Sequence, residues 1–249
     1  AAVLDSVGSP LVVRDVDIAE PIGREVLLEV KASGLCHSDL HMMNNPKGFP
    51  LAAVLGHEAS GVVTAVGPDV TQFAVGDHVV GCLVSHCGRC ERCMSGRPYQ
   101  CRNAAETARA PEQGARLSVE GAPVIQFWSL GAFAEQMLVH ENNIVKVDPS
   151  IPFEKAALLG CGVVTGAGAV INTAQTQPGD TVAVIGCGGV GLSAVQGAAL
   201  AGARRVIAID LVLEIMESLS KDYDVVWGSM IKQALRRVHP DFNETNAGY

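Results

Sequence analysis

Four cysteines are concentrated in the segment "SHCGRCERCMSGRPYQC", residues 85–101. Cys87, Cys90 and Cys93 recur at every third residue, and Cys101 completes the group. Neighbouring glycines allow tight turns, so the four sulfurs can converge on one ion, and four thiolates complete a tetrahedral structural zinc site. A disulfide framework, a redox pair and a chance group of free thiols are the alternatives. A closed four-sulfur site has no open position for substrate, so we expect this zinc to brace a loop over residues 85–102.

The cellular compartment helps to choose between zinc and disulfides. The first residues, "AAVLDSVGSP", lack a basic segment followed by an apolar one, so we expect no secretory leader. No run of 18 apolar residues occurs, so we expect no membrane span. We therefore expect a cytoplasmic protein, and stable disulfides are rare in that reducing compartment.

A second chemical signal is the glycine pattern in "DTVAVIGCGGVGLSAVQGAALAGARRVIAID", residues 180–210. Gly186, Gly188 and Gly191 match G-x-G-x-x-G between an apolar strand and a small-residue helix, and Asp210 ends the next strand. The glycines permit the tight turn, the approach of a pyrophosphate and the packing of helix on strand. Asp210 can accept hydrogen bonds from the adenosine ribose, which favours NAD over NADP. A βαβ turn that binds no nucleotide is the alternative.

The elements that must position these residues change type along the chain. Val-rich segments bounded by Gly, Pro and Asp predict a barrel-like β domain over roughly residues 1–150. The polar stretch "AAETARAPEQGARLSVEG" is expected to be a surface excursion, and residues 153–170 are expected to be helical. The strand–helix–strand pattern that follows predicts part of a Rossmann-type α/β domain.

These motifs together resemble the zinc-dependent medium-chain alcohol dehydrogenase family. The resemblance covers residues 1 to about 210 and is carried by "CHSDLH", "GHEASG", the four-cysteine loop, "GCGVVTG" and "GCGGVG", in the family's order. It implies a GroES-like catalytic domain at 1–152, a partial dinucleotide-binding domain at 153–210, and two zinc ions per chain. Cys36, His57 and Cys161 would hold the catalytic zinc and leave one position for water or substrate.

The resemblance also implies roles for residues around that metal. Ser38 would receive the proton of the alcohol and His41 would pass it to solvent, although His41 by itself could be a solvated residue. Asp39 would orient His57 and Glu58 would lie behind the zinc, unless both are ordinary surface charges. Further positions match the cofactor site or the substrate pocket. The cofactor positions are His37, Thr165, Gly189 and Val190, and the pocket positions are Leu83, Phe127 and Trp128, of which the two aromatic residues could instead be core.

After Asp210 the expected strands do not continue. Leu211, Ile215 and Leu219, and then Ile231, Leu235 and Val238, predict two helices over residues 211–249. The segment "GSMIKQALRRVHPDFNETNAGY" resembles part of a LOTUS (OST-HTH) module, so we expect a helical tail of different origin. An incomplete Rossmann sheet would weaken NAD binding by this chain.

The leading hypothesis is reversible hydride transfer between a primary or aromatic alcohol and NAD, by a homo-oligomer. A formaldehyde or thiol-adduct dehydrogenase of the same family is an alternative, and a non-catalytic, zinc-braced protein whose tail binds a partner is another. The net charge of −8 argues against a general nucleic-acid surface.

Overall fold

The computed structural model describes residues 1–45 and 48–210. The chain divides into two compact units, one of Ala1–Cys161 and one that begins at Gly162. The predicted tail, 211–249, with its helices and its LOTUS resemblance, lies outside the described residues. Within them the predicted architecture, a β domain followed by a partial α/β domain, is confirmed.

The described elements are thirteen strands and five α-helices, joined by short 3-10 segments and one π-helical segment, Ala169–Thr173. The helices are α1 (His37–Asn44), α2 (Glu91–Met94), α3 (Phe153–Ala156), α4 (Gly162–Gly168) and α5 (Gly189–Leu200). The strands are β1 (Ala2–Leu4), β2 (Val12–Val13), β3 (Asp17–Ile18), β4 (Glu25–Gly34), β5 (Ala53–Val54), β6 (Glu58–Val66), β7 (His78–Gly81), β8 (Leu117–Val119), β9 (Ala122–Gln126), β10 (Gln136–His140), β11 (Ile144–Lys146), β12 (Thr181–Ile185) and β13 (Arg205–Ile209).

A five-stranded antiparallel sheet in the order β10-β4-β6-β7-β11 forms the centre of the first unit. Val26, Leu28 and Val30 alternate along β4, and one face of the sheet buries a core that includes Val26, Leu28 and Val63. Two register shifts interrupt the β4–β6 pairing. Such irregularities bend and twist a sheet, which accounts for its curled shape.

The second sheet of this unit has six short strands in the order β2-β1-β5-β9-β8-β3. It corrects the expectation that residues 104–121 are only a surface excursion. Leu117 on β8 is 4% exposed and packs in a cluster with Val3, Val54 and Val124. The sequence hides this strand because it is three residues long and surrounded by polar residues.

A buried ion cluster attaches that polar stretch to the central sheet. Arg109 donates to both carboxylate oxygens of Glu25, at 2.9 and 2.6 Å, and Arg116 donates to one of them at 2.7 Å. The three side chains are 5–9% exposed. Burial raises the pKa of Glu25, but the hydrogen bonds from the two arginines lower it by more, so the pKa lies below its usual value.

The second unit contains the parallel pair β12–β13, joined by α5. Its core includes Val170, Val184, Ala194 and Ala198. Helix α4 packs closely on α5 because each helix places a glycine at the contact, Gly166 on α4 and Gly197 on α5. A Cβ atom added to Gly197 would lie 2.7 Å from the Cα of Ala167.

Within the described residues no single helix is long and apolar enough to cross a membrane. The bent pair Phe153–Gly160 and Gly162–Thr173 meets the same criteria only when its two parts are taken together, by length and composition.

Replacing Glu25 with Gln should lower the free energy of unfolding by about 3–5 kcal/mol, because it leaves two nearly buried guanidinium groups without their counter-charge. Urea unfolding at pH 7 measures this. Glu29→Gln is the matched control on the same strand: its pair with Lys31 is exposed, so its loss should cost less than about 1 kcal/mol.

The pH dependence has a definite sign. Because the folded pKa of Glu25 is lowered, its contribution is present above the usual glutamate pKa and is lost as pH falls through the folded value. The difference between wild type and Glu25→Gln should therefore shrink in acid. Equal losses in the Glu25 and Glu29 variants would contradict the role of the cluster.

Candidate functional site

The four cysteines of the loop come together in the first unit. Their sulfur atoms all lie within 4.8 Å of one another, and the Cys90–Cys93, Cys90–Cys101 and Cys87–Cys93 separations are 3.5, 3.9 and 4.0 Å. These distances exclude a disulfide, whose sulfurs lie about 2.0 Å apart. Four bonds of about 2.3 Å to a tetrahedral zinc place sulfurs about 3.8 Å apart. The cluster therefore fits one zinc ion.

Backbone amides turn toward these sulfurs. The N–H of Cys90 donates to Cys87, and those of Cys87 and Asn103 donate to Cys101. Amide donors lower the pKa of Cys90 to about 6, whereas burial and the neighbouring Cys90 raise that of Cys93 to about 12. Opposite shifts within one cluster mean that thiolates so close together cannot all ionise without a compensating cation.

A second cluster in the same unit joins Cys36, His57, Glu58 and Cys161, whose candidate ligand atoms also lie within 4.8 Å of one another. The β4–β6 pairing explains how residues so distant in sequence meet. Gly34 ends β4 opposite Glu58, the first residue of β6. Cys36 comes two residues after Gly34, and His57 immediately precedes Glu58. Cys36 and His57 therefore lie at the same end of the sheet.

Two glycines make room for this convergence. A Cβ atom added to Gly34 would lie 2.2 Å from a carboxylate oxygen of Glu58, so a side chain there would displace the acid. A Cβ atom added to Gly160 would lie 2.2 Å from the carbonyl oxygen of Gly81, at the end of β7. That close backbone contact brings Cys161, the next residue, to the cluster.

Asp39 fixes the orientation of His57. Asp39 lies in the first turn of α1, where its Oδ2 accepts a hydrogen bond from the N–H of Cys36 at 3.2 Å. Its Oδ1 accepts from the N–H of Gly56 at 3.0 Å and lies 3.2 Å from Nδ1 of His57. A carboxylate can only accept, so Nδ1 carries the proton of the neutral ring, and in that form Nε2 keeps the lone pair that can bind a metal ion. Asp39 is 3% exposed and Glu58 is 5% exposed, so neither is an ordinary surface charge.

The chemistry of the donors fits a metal ion. His57 is fully buried, and among the described residues its Nε2 has no hydrogen-bond partner. Burial lowers the pKa of His57, but Asp39 and Cys161 raise it by more, to about 10. His57 lowers the pKa of Cys161, but burial and the neighbouring Cys36 raise it by more, so the pKa of Cys161 lies above its usual value. Both groups thus retain protons at a site of excess negative charge, which a divalent cation would neutralise.

Helix α1 carries the predicted proton-transfer residues. Ser38 is half-buried in its first turn, and His41 is exposed three residues later, on the same side of the helix. The rings of His37 and His41 meet edge to face at 4.7 Å between centroids. Ser38 and His41 therefore lie on one side of a helix that begins directly after Cys36.

The predicted pocket residues lie in different environments. Phe127 is 1% exposed and packs with Leu4 and Leu55, which corresponds to the core alternative. Trp128 stacks on Phe127 at 4.2 Å and meets the ring of His57 edge to face at 4.6 Å. Its φ of 47° is rare for a bulky residue. Leu83 is half-buried against the core of the central sheet.

All of the predicted cofactor residues lie in the second unit except His37, which begins α1 in the first. Gly186 has a φ of 89°, and a Cβ atom added to Gly191 would lie 1.8 Å from the carbonyl oxygen of Gly186, so the turn excludes side chains at both positions. Gly188 precedes α5, and Gly189 and Val190 form its first turn, whose free N–H groups can receive a phosphate. The carboxylate of Asp210 accepts a hydrogen bond from the N–H of Cys187 within the turn.

Helix α4 brings the remaining cofactor candidate close to this turn. Thr165 is exposed on α4, and its neighbour Gly166 lies against the start of α5. A Cβ atom added to Gly166 would lie 2.2 Å from the carbonyl oxygen of Val190. Thr165 and Val190 therefore lie in one region of the second unit.

Sequence reasoning missed the residues that shape the site from behind. These are three glycines: Gly34 makes room for the carboxylate of Glu58, Gly56 lies against Phe133, and Gly160 lies against the backbone of Gly81. The signal available in the sequence was proximity: Gly34 lies two residues before Cys36, and Gly160 lies immediately before Cys161. The sequence alone does not show which backbone each one approaches.

Comparison with known proteins is consistent with both units. The alcohol dehydrogenase GroES-like domain family matches residues 23–149. Alcohol dehydrogenase B of Mycobacterium tuberculosis is 39% identical over 245 residues, which are 96% of this chain and 62% of that protein. S-(hydroxymethyl)glutathione dehydrogenase of Escherichia coli is 44% identical over 216 residues, covering 84% of this chain and 58% of that protein.

A solved structure agrees with these matches. The benzyl alcohol dehydrogenase of Acinetobacter calcoaceticus superposes with a TM-score of 0.78 at 39% identity, covering 89% of this chain and 60% of the other. The chain thus spans about three fifths of the length of the relatives it matches. The match to 96% of the chain also extends past Asp210.

Metal content should follow the two clusters. Protein prepared with excess zinc and then desalted should hold two zinc ions per chain by elemental analysis, and the Cys90→Ser and Cys161→Ser variants should each hold one. Cys82→Ser is the matched control, because Cys82 belongs to neither cluster. Loss of zinc from the control, or full zinc in either cluster variant, would contradict the assignment.

Proposed function

The chain belongs to the zinc-dependent medium-chain alcohol dehydrogenase family, and on that basis we propose that it takes part in reversible hydride transfer between a primary or aromatic alcohol and NAD. The observation that carries the proposal is the cluster of two thiols, one imidazole with a free Nε2, and a buried carboxylate. Three such ligands with an open position are typical of catalytic zinc. A closed structural site would need no oriented histidine with an acid behind it.

The residues of the chain have distinct roles in this reaction. Cys36, His57 and Cys161 would hold the zinc, with Asp39 keeping the imidazole in the tautomer that binds it. Bound there, zinc would supply Lewis-acid stabilisation of negative charge on the substrate oxygen. Ser38 accepts the proton of the alcohol, and His41 exchanges it with solvent because it lies exposed on the same helix.

The four-cysteine loop would hold a second zinc with a structural role. Its four thiols fill all tetrahedral positions, so no position remains for substrate. The glycine turn before α5 would receive the pyrophosphate of NAD, and Asp210 would contact the adenosine ribose. We further propose that the protein is cytoplasmic and acts as a homo-oligomer.

The substrate class follows from one aromatic surface. Trp128 lies against a zinc-ligating residue and presents a flat, partly buried ring at the cluster. Such a ring favours flat aromatic or linear primary alcohols over branched ones. A hydroxymethyl thiol adduct is the second candidate, because the relative from Escherichia coli bears the name S-(hydroxymethyl)glutathione dehydrogenase.

Activity should depend on Cys161. Zinc-loaded protein should reduce NAD with benzyl alcohol, or with S-(hydroxymethyl)glutathione if the second candidate holds. The Cys161→Ser variant should lose at least about 1,000-fold in kcat/KM, because the metal provides several kcal/mol of charge stabilisation. Cys82→Ser should keep wild-type activity. Full turnover by zinc-replete Cys161→Ser would refute the assignment, and absence of NAD reduction in wild type would favour a non-catalytic role.

Asp210 should set the cofactor preference through its charge. Asp210→Asn keeps an acceptor for the N–H of Cys187 but removes the charge that repels a 2′-phosphate. It should narrow the preference for NADH over NADPH by roughly 10-fold or more. Calorimetric titration with both cofactors measures this, and Asp210→Gly, which loses the acceptor too, should weaken binding of both. A wild type that already prefers NADPH would contradict the prediction.

A further inference from the structure

A cavity of about 430 Å³ lies in the first unit, beside the four-cysteine loop and apart from the second cluster. Its lining consists of Arg24, Arg89, His140 and Asn142 together with Cys87, Thr107 and the carboxylate Glu106, which is paired with Arg89. Arg24 immediately precedes β4, Arg89 lies in the loop between Cys87 and Cys90, and His140 ends β10. Three separate segments thus contribute hydrogen-bond donors to one space.

His140 offers the cavity a ring donor that has no partner among the described residues. His140 is 8% exposed, and its Nδ1 accepts a hydrogen bond from the N–H of Asn142 at 3.0 Å. The ring proton must therefore be on Nε2. Among the described residues Nε2–H has no acceptor, and this atom is not one of the fully buried polar atoms, so it remains accessible to a ligand in the cavity that His140 lines. Burial lowers the pKa of His140 to about 4, with further lowering by Arg24 and Arg116, so the ring stays neutral near pH 7.

The two arginines of the cavity each have N–H groups that make no hydrogen bond within the described residues. Arg24 donates from Nε to Glu141 and more weakly from Nη2 to Asn142. Arg89 donates from Nη2 to Glu106 at 2.8 Å. Neither Nη1 group, nor Nε of Arg89, has an acceptor among the described residues. A guanidinium offers five N–H donors in a fixed fork, so each arginine can hold a second anion beside its carboxylate.

The local charge also favours an anion. The chain as a whole carries −8, yet arginines outnumber glutamates in the ion pairs around the cavity. These pairs join Arg24, Arg89, Arg109 and Arg116 to Glu25, Glu106 and Glu141. Arg109 and Arg116, which share Glu25, supply the excess from outside the cavity lining, and the positive charges of Arg24 and Arg116 act on His140, whose pKa they lower.

We propose that this cavity binds a small tetrahedral oxyanion of the phosphate type, held by Arg24, Arg89 and Nε2–H of His140. The anion would connect the four-cysteine loop, through Arg89, to the central sheet, through Arg24 and His140. Charge-assisted hydrogen bonds of this kind are the strong ones. Binding there would stabilise the loop without contact with the cluster of Cys36, His57 and Cys161, so the site is independent of the activity proposed above.

Calorimetric titration of the full zinc-loaded chain with inorganic phosphate, against sodium chloride at equal ionic strength, tests this site. We expect saturable binding of one phosphate, with a shift of the His140 ring signals in the NMR spectrum. Arg89→Ala should weaken binding by about tenfold or more, since it removes a charged donor pair. Arg102→Ala is the matched control: it removes an equally exposed charge of the same loop, paired with Glu91, that does not line the cavity.

A second arm uses glycerol 3-phosphate in place of inorganic phosphate. Tighter binding of glycerol 3-phosphate would show that the site takes the phosphate group of a larger metabolite, and tighter binding of inorganic phosphate would show that it takes the free ion. Three results would overturn the proposal: no heat beyond the chloride control, equal weakening by Arg89→Ala and Arg102→Ala, or binding that leaves the His140 signals unchanged.

Discussion

The antiparallel pairing of β4 with β6 is the constraint on which the candidate catalytic site depends. Gly34 lies opposite Glu58 at the end of this pairing, and one ligand flanks each of these residues. A slip of the register by one residue would move Cys36 away from His57 and turn every side chain of the strand to the other face of the sheet. The valine and leucine core beneath β4 and β6 opposes that slip, so hydrophobic packing far from the metal ligands sets their spacing.

Charge is the second determinant of the site. Each cluster brings several anionic or thiol groups into a small, partly buried volume, and hydrogen bonds within the protein only partly offset their repulsion. In the distributed cluster the buried Asp39 orients His57, while raised pKa values of His57 and Cys161 hold extra protons. In the loop, amides from the backbone perform the corresponding role for the sulfurs. The two clusters would therefore accommodate the proposed cations in two chemically different ways.

The sequence predicted the local features well and the long-range ones poorly. The cysteine spacing and the glycine turn are contiguous motifs whose chemistry depends on neighbours, so the convergence of Cys87, Cys90, Cys93 and Cys101 could be expected from spacing alone. The grouping of Cys36, His57 and Cys161 came only from family resemblance. The burial of Leu117, the pairing of Glu25 with Arg109 and Arg116, and the cavity at His140 depend on tertiary contacts that leave no periodic pattern in the chain.

The two clusters also differ in how much chain each one encloses. The loop cluster closes within residues 87–101, whereas the other joins residues 36–161. Loop-closure entropy rises with the length enclosed, so the short loop can capture a metal ion while most of the chain is still being synthesised. The distributed ligands meet only after β4, β6 and the segment before Cys161 have packed together. Under the proposed two-zinc arrangement, the loop could bind its ion while the protein is still folding, whereas the other ion would enter a site whose ligands folding has already brought together.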